Sequence, residues 1–114
     1  MNRISTHVLD TNLGKPAQDV SVHLDRRDPD GEWLQLNSSR TDTDGRCNQL
    51  LPDNEVLRAG IYRLRFDIAS YHIDHDSKGF YPAVEIIFQV LEGESRVHIP
   101  LLLSPNGYTT YRGS

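Results

Sequence analysis

The sequence predicts an all-β sandwich, and three observations carry that expectation. Runs that alternate apolar and polar residues recur along the whole chain, and a period of two belongs to strands with one buried face. Clusters of Gly, Pro, Asn and Asp separate these runs at short intervals, as in sheets built from many short strands. Only one segment has helical character, and a lone short helix between strands does not make a βαβ unit. Seven or eight strands are expected, with no repeats, linkers or low-complexity segments.

Ile4 to Asp10 (ISTHVLD) reads as the first strand, with Ile4, Thr6 and Val8 on one side and Ser5, His7 and Leu9 on the other. Asn12-Leu13-Gly14-Lys15-Pro16 is turn chemistry. Val20 to Arg26 alternates cleanly, with Val20, Val22 and Leu24 facing in and Ser21, His23 and Asp25 facing out. Asp28-Pro29-Asp30-Gly31 turns the chain into a third strand over Glu32 to Asn37, which holds Trp33. The loop Thr41-Asp42-Thr43-Asp44-Gly45 delivers Arg46 into a short strand, and Pro52-Asp53-Asn54-Glu55 ends that pattern. Gly60 to Asp67 is a strand with Ile61, Arg63 and Arg65 opposite Tyr62, Leu64 and Phe66. A helix of about two turns is expected around Ile68 to His75, followed by Gly79. Ala83 to Leu91 is a strand and Glu92-Gly93-Glu94 a turn.

The last nineteen residues, Arg96 to Ser114, organise the rest. Val97 to Leu103 is a strand, Ser104-Pro105-Asn106-Gly107 a turn, and a second strand is expected to run to Ser114. Ile99, Leu101 and Leu103 form an aliphatic core face, whereas His98, Pro100 and Leu102 suit a face that lines something. Pro100 has no N–H for a ladder and requires an edge or a relaxed position. The strand ends in Tyr111-Arg112-Gly113-Ser114, polar, aromatic and cationic, with no polar linker before it.

Composition narrows the function classes. A chain of 114 residues suits a single domain spanning 1–114. The net charge of −4, with no basic run beyond Arg26-Arg27, gives no electrostatic reason to expect nucleic acid. The single cysteine, Cys47, forbids an internal disulfide and fits a reducing compartment. No run reaches membrane-spanning length and no signal-peptide core opens the chain, so a cytoplasmic location is expected, or a periplasmic one if a signal was removed.

His7-Val8-Leu9-Asp10 followed by Gly14-Lys15-Pro16-Ala17 resembles the opening signature of the transthyretin family. Gly60-Ile61-Tyr62, the helix after that strand, Phe80-Tyr81-Pro82 and Leu102-Leu103-Ser104-Pro105 fall where the family has its equivalents, so the resemblance covers essentially the whole chain. His7, Arg46, His98 and the terminal Tyr111-Arg112-Gly113-Ser114 together resemble its enzymatic branch, the 5-hydroxyisourate hydrolases of purine catabolism. The resemblance implies two antiparallel four-stranded sheets with one short helix. It also implies a homotetramer, a dimer of dimers with active sites in the channel between them. The substrate would be 5-hydroxyisourate, opened to 2-oxo-4-hydroxy-4-carboxy-5-ureidoimidazoline without a metal or other cofactor.

The residues suit that chemistry. Opening a cyclic amide requires an activated water, a polarised carbonyl and a protonated leaving nitrogen; imidazole serves both proton steps near neutral pH. Arg46 supplies a permanent cation with planar donors for an oxygen-rich anion. Either histidine could take the proton from water; His7 is favoured as base, held or tuned by Arg46 and His98. Tyr111 and Ser114 are expected to shape the pocket and bind substrate, and Arg112 either to join them or to bond across a subunit boundary. The alternative is a non-catalytic carrier of small aromatic ligands in the same channel, which would line it with apolar and hydroxyl groups instead.

Other residues receive plainer readings. His23 is a solvated outer residue, and Arg63 with Arg65 a solvated sheet face. His72 and His75 share a helix face at best and lack a third metal ligand. Asp42-Thr43-Asp44-Gly45 lacks the remainder of a calcium loop and is a turn. Cys47 is a small buried or half-buried residue.

Overall fold

Alternating apolar residues close the chain into two facing sheets in the structure, a computed structural model that describes residues 2–114. The elements run β1 (Arg3–Asp10), β2 (Lys15–Pro16), β3 (Ser21–Arg27), β4 (Trp33–Arg40), β5 (Arg46–Cys47), β6 (Gly60–Asp67), α1 (Ala69–Asp74), β7 (Ala83–Val90), β8 (Arg96–Ser104) and β9 (Gly107–Thr110). One sheet has the order β2-β1-β8-β9, with β5 also on β1, and the other has the order β4-β3-β6-β7. The second sheet is antiparallel throughout. The first departs from the fully antiparallel expectation in one pair: β1 lies parallel to β8, from Arg3↔Arg96 to Asp10↔Leu103. Parallel neighbours require a long crossover, and here the whole second sheet supplies it.

Between the sheets Ile4, Val8, Val20, Val22, Leu24, Tyr62, Leu64, Phe66, Leu101 and Leu103 are fully buried, the inward faces expected from the alternation. Burying each such side chain contributes about 1.5–3 kcal/mol, so the core holds β1 and β8 in fixed register. No helix among the described residues is long and apolar enough to cross a membrane.

Three expectations are revised. First, the outer face of the second sheet is not simply solvated: Asp25 is buried there and accepts from Arg63 Nε at 2.9 Å and Arg65 Nε at 2.6 Å. Trp33 explains the burial, because the Arg63 guanidinium stacks over its ring at 4.2 Å and roofs the carboxylate. Burial pushes the Asp25 carboxyl up, but the hydrogen bonds and charges of Arg65 and Arg63 outweigh it and hold it below the usual value.

Second, helix α1, expected only as a short helix between strands, is anchored in the core. Tyr71 and His72 are buried, and Tyr71 Oη donates to Asp10 Oδ2 at 2.7 Å. The other Asp10 oxygen accepts from Leu13 N–H, so one carboxylate ties the helix to the loop after β1.

Third, the second strand of the C-terminal hairpin stops at Thr110. Leu101↔Thr110 is its last rung, and the next position on β8 is Pro100, which cannot donate. Pro100 is thus relaxed inside a central strand, not at a sheet edge. Residues 111–114 are no longer strand but stay beside β8, and Gly113 N–H, opposite His98 in the same register, donates to the His98 carbonyl at 2.8 Å.

Candidate active site

The outer face of the first sheet gathers the polar residues that the core excludes. Ser5 and His98 are direct partners across β1 and β8, and His7 faces Pro100 on the same ladder. On its other side His7 pairs in register with Arg46 of β5. A tight turn brings β5 to β1: Gly45 has φ +75°, and a Cβ there would strike the Val8 carbonyl oxygen. Glycine alone permits both the conformation and the approach. Asp42 Oδ1 fixes the turn by accepting from the N–H groups of Asp44 and Arg46, each at 2.9 Å.

These elements enclose a cavity of about 290 Å³ lined by Arg3, Ser5, Arg46, Arg96, Val97, His98, Arg112, Gly113 and Ser114. Arg46, His98, Arg112 and Ser114 were expected in the site. Ser5, Arg3 and Arg96 were not. No carboxylate side chain lines the cavity, although the chain as a whole is acidic, so its walls suit an anion. Each of the four arginines comes from a different stretch of sequence, which is why no basic run announced them. His7 is outside the lining set, although its register partner Arg46 belongs to it. Tyr111 stands apart: it lines a separate apolar cleft of about 160 Å³ with Ile86, Phe88 and Ile99, between the edge strands of the two sheets. Arg112 borders both spaces and pairs with Glu94.

Each imidazole has one ring nitrogen held. His7 Nε2 lies 2.9 Å from the Asp44 backbone oxygen. A carbonyl only accepts, so His7 Nε2 carries a proton, and in the neutral ring Nδ1 keeps the lone pair. His98 Nδ1 lies 2.8 Å from Ser5 Oγ. Burial first, then the positive fields of Arg46, His7 and Arg3, hold the His98 pKa below its ordinary value. At neutral pH His98 is therefore uncharged. Gly113 lies against the ring edge: a Cβ on it would come to 2.5 Å from His98 Cδ2 and 3.2 Å from Pro100 Cδ. Cys47 of β5 is buried, and burial pushes its thiol pKa up, away from nucleophile character.

Comparison with known proteins gives a consistent picture. The model of the HIUase/Transthyretin family matches residues 4–113. A 5-hydroxyisourate hydrolase from Mus musculus is 44% identical over 112 residues, covering 97% of this chain and 94% of its own. Another, from Ralstonia nicotianae, is 37% identical and both chains are covered completely. Among solved structures, the 5-hydroxyisourate hydrolase of Klebsiella pneumoniae matches with a TM-score of 0.84 at 33% identity, again over the whole of both chains. Sea bream transthyretin in complex with thyroxine matches with a TM-score of 0.90 at 32% identity, over 96% of this chain and 93% of its own.

Proposed function

The chain belongs to the HIUase/Transthyretin family, and from that premise we propose that it is a 5-hydroxyisourate hydrolase acting in urate degradation. The observation that carries this reading is the arginine-walled cavity that holds a neutral His98, with His7 and Arg46 paired at its side. A carrier of aromatic ligands has the same fold, as the thyroxine-bound neighbour illustrates. Its pocket would have little use for four guanidinium groups and an imidazole.

The reaction adds water across a ring amide. The bare Nδ1 of His7 takes a proton from water as the oxygen bonds to the carbonyl carbon. Charge then builds on the carbonyl oxygen, where the Arg46 guanidinium stabilises it. The ring C–N bond breaks, and protonated His7 returns its proton to the leaving nitrogen. The new carboxyl group ionises at neutral pH, and Arg3, Arg96 and Arg112 line the space that receives it. Ser114 supplies a hydroxyl for the substrate's polar edge. No step calls for a metal or another cofactor.

Assembly as a homotetramer, a dimer of dimers, is supported by what one subunit leaves open. β7 and β9 are the outer strands of their sheets and have no partner beyond them among the described residues. Exposed Phe80, Tyr81 and Tyr108 cluster edge to face beside them. A closed symmetric assembly covers such edges and patches. The unpaired Cys47 suits a cytoplasmic, reducing setting.

The deciding experiment generates 5-hydroxyisourate in place with urate oxidase and follows its ultraviolet decay. Decay well above the spontaneous rate is expected on adding the protein. Decay at the spontaneous rate with micromolar protein rejects the assignment. Sedimentation at that concentration should give a tetramer; an active monomer would place the site within one subunit.

A further inference from the structure

Resting on the hydrolase reading, we propose that Ser5 is a positioning residue that locks His98 in the tautomer with its proton on Nε2. His98 then acts as a neutral hydrogen-bond donor to the reacting carbonyl and not as a second base.

The geometry carries this assignment. Ser5 is 5% exposed, and Nδ1 of His98 is the one hydrogen-bond partner of its hydroxyl among the described residues. The Ser5 hydroxyl borders the cavity, and Nδ1 at 2.8 Å is the one protein acceptor within its reach among the described residues. With the hydroxyl donating, Nδ1 accepts and a neutral ring carries its proton on Nε2. That nitrogen has no protein partner, and it is not among the buried polar atoms left unsatisfied, so it remains open to the cavity that His98 lines.

His7 is set the opposite way. Its Nε2–H is spent on the Asp44 carbonyl, and its Nδ1 is bare. Two imidazoles of the same chemistry are thus divided into an acceptor and a donor by their neighbours alone. A carboxylate in place of Ser5 would also orient the ring, but it would favour the imidazolium. A hydroxyl orients His98 while leaving it uncharged beside Arg46 and Arg3.

Imidazole ¹⁵N spectra of the protein, recorded above pH 7.5 without substrate, read the tautomer directly. The wild type should show His98 with a protonated Nε2 and an accepting Nδ1. Ser5→Ala should give a mixture of tautomers and lower kcat about tenfold, the scale of one lost hydrogen bond, with KM nearly unchanged. Ser5→Thr, which keeps the hydroxyl, should restore both the single tautomer and the rate. A proton on Nδ1 in the wild type overturns the proposal, as does a Ser5→Ala protein whose tautomer and kcat match the wild type. If Ser5→Ala fails to fold, the wild-type and Ser5→Thr spectra still decide. Failure of the wild type to speed 5-hydroxyisourate decay would remove the hydrolase reading, whereas the spectra, which need no substrate, separately test how Ser5 holds the ring.

Discussion

Gly113 lies against His98: its N–H donates to the His98 carbonyl at 2.8 Å, and its α-carbon faces the imidazole edge. A methyl group there would sit 2.5 Å from His98 Cδ2, so either the ring or the tail must move. Gly113→Ala should cut kcat/KM at least about tenfold, because small misplacements of reacting groups cost this much or more. The melting temperature should hold, since the tail contributes nothing to the buried core. Full activity in Gly113→Ala would show that the tail plays no part in shaping the site.

His7→Ala, Arg46→Ala and His98→Ala should each lower turnover roughly 10²-fold or more, the scale of a lost base or oxyanion donor. None of the three side chains is part of the core, so thermal melts should stay close to wild type. Arg46→Ala carries a second signature. It removes a positive field that depresses the His98 pKa, so the His98 ring should titrate closer to 6.5 when followed by NMR. Near-native rates in any two of the three variants would overturn the assignment.

Much of this was visible in the sequence, for reasons that can be named. Strict alternation in Val20–Leu24 and Ile99–Leu103 revealed which residues face the core, and hence that His98 does not. His7, Arg46 and His98 could be picked out because together they match the motif of the family that the chain resembles; residue type alone would not separate them from His23. Ser5, Arg3 and Arg96 could not. Their importance comes from the register of β1 against β8, a pairing between distant segments that local pattern does not encode. The end of β9 is encoded locally: Pro100 lacks an N–H, and the strand paired with it stops at Thr110, one rung short of it.

Asp25 is a second residue whose role depends on neighbours from other strands. Asp25→Ala leaves Arg63 and Arg65 without their shared acceptor under the Trp33 roof. Both arginines can turn partly toward water, so the expected destabilisation is about 2 kcal/mol, below the range for a fully buried pair. Urea unfolding measures it; an unchanged midpoint would mean the cluster is surface decoration. Activity should be spared, because the cluster lies on the sheet opposite the cavity.

His72 predicts a pH dependence of stability. Its imidazole is buried with Nε2 unpartnered, and Gly79 packs so closely that a Cβ there would collide with the ring. Burial pushes its pKa below 6.5, Asp10 opposes and His75 reinforces. The unfolded chain therefore binds the proton first as pH falls. Stability declines from about the ordinary histidine pKa downward and levels off below the folded-state value, with a slope of at most about 1.4 kcal/mol per pH unit from this group. His72→Phe should melt with a weaker dependence between pH 7.5 and 5. Parallel curves for the two proteins would exclude His72 as the source.

The parallel pairing of β1 with β8 also dictates when the reactive centre can come into being. Ser5 and His98 are 93 residues apart, and closing so long a span is slow on entropic grounds. As the chain leaves the ribosome, β1 emerges first and meets only the two-residue strands β2 and β5 until β8 is made. All four strands of the other sheet precede residue 91, so that sheet can form while β1 still waits. A chain halted there would hold half the sandwich and no reactive centre. Turnover thus reports the last long-range closure in folding, and it should recover after secondary structure does when the denatured protein is returned to native conditions.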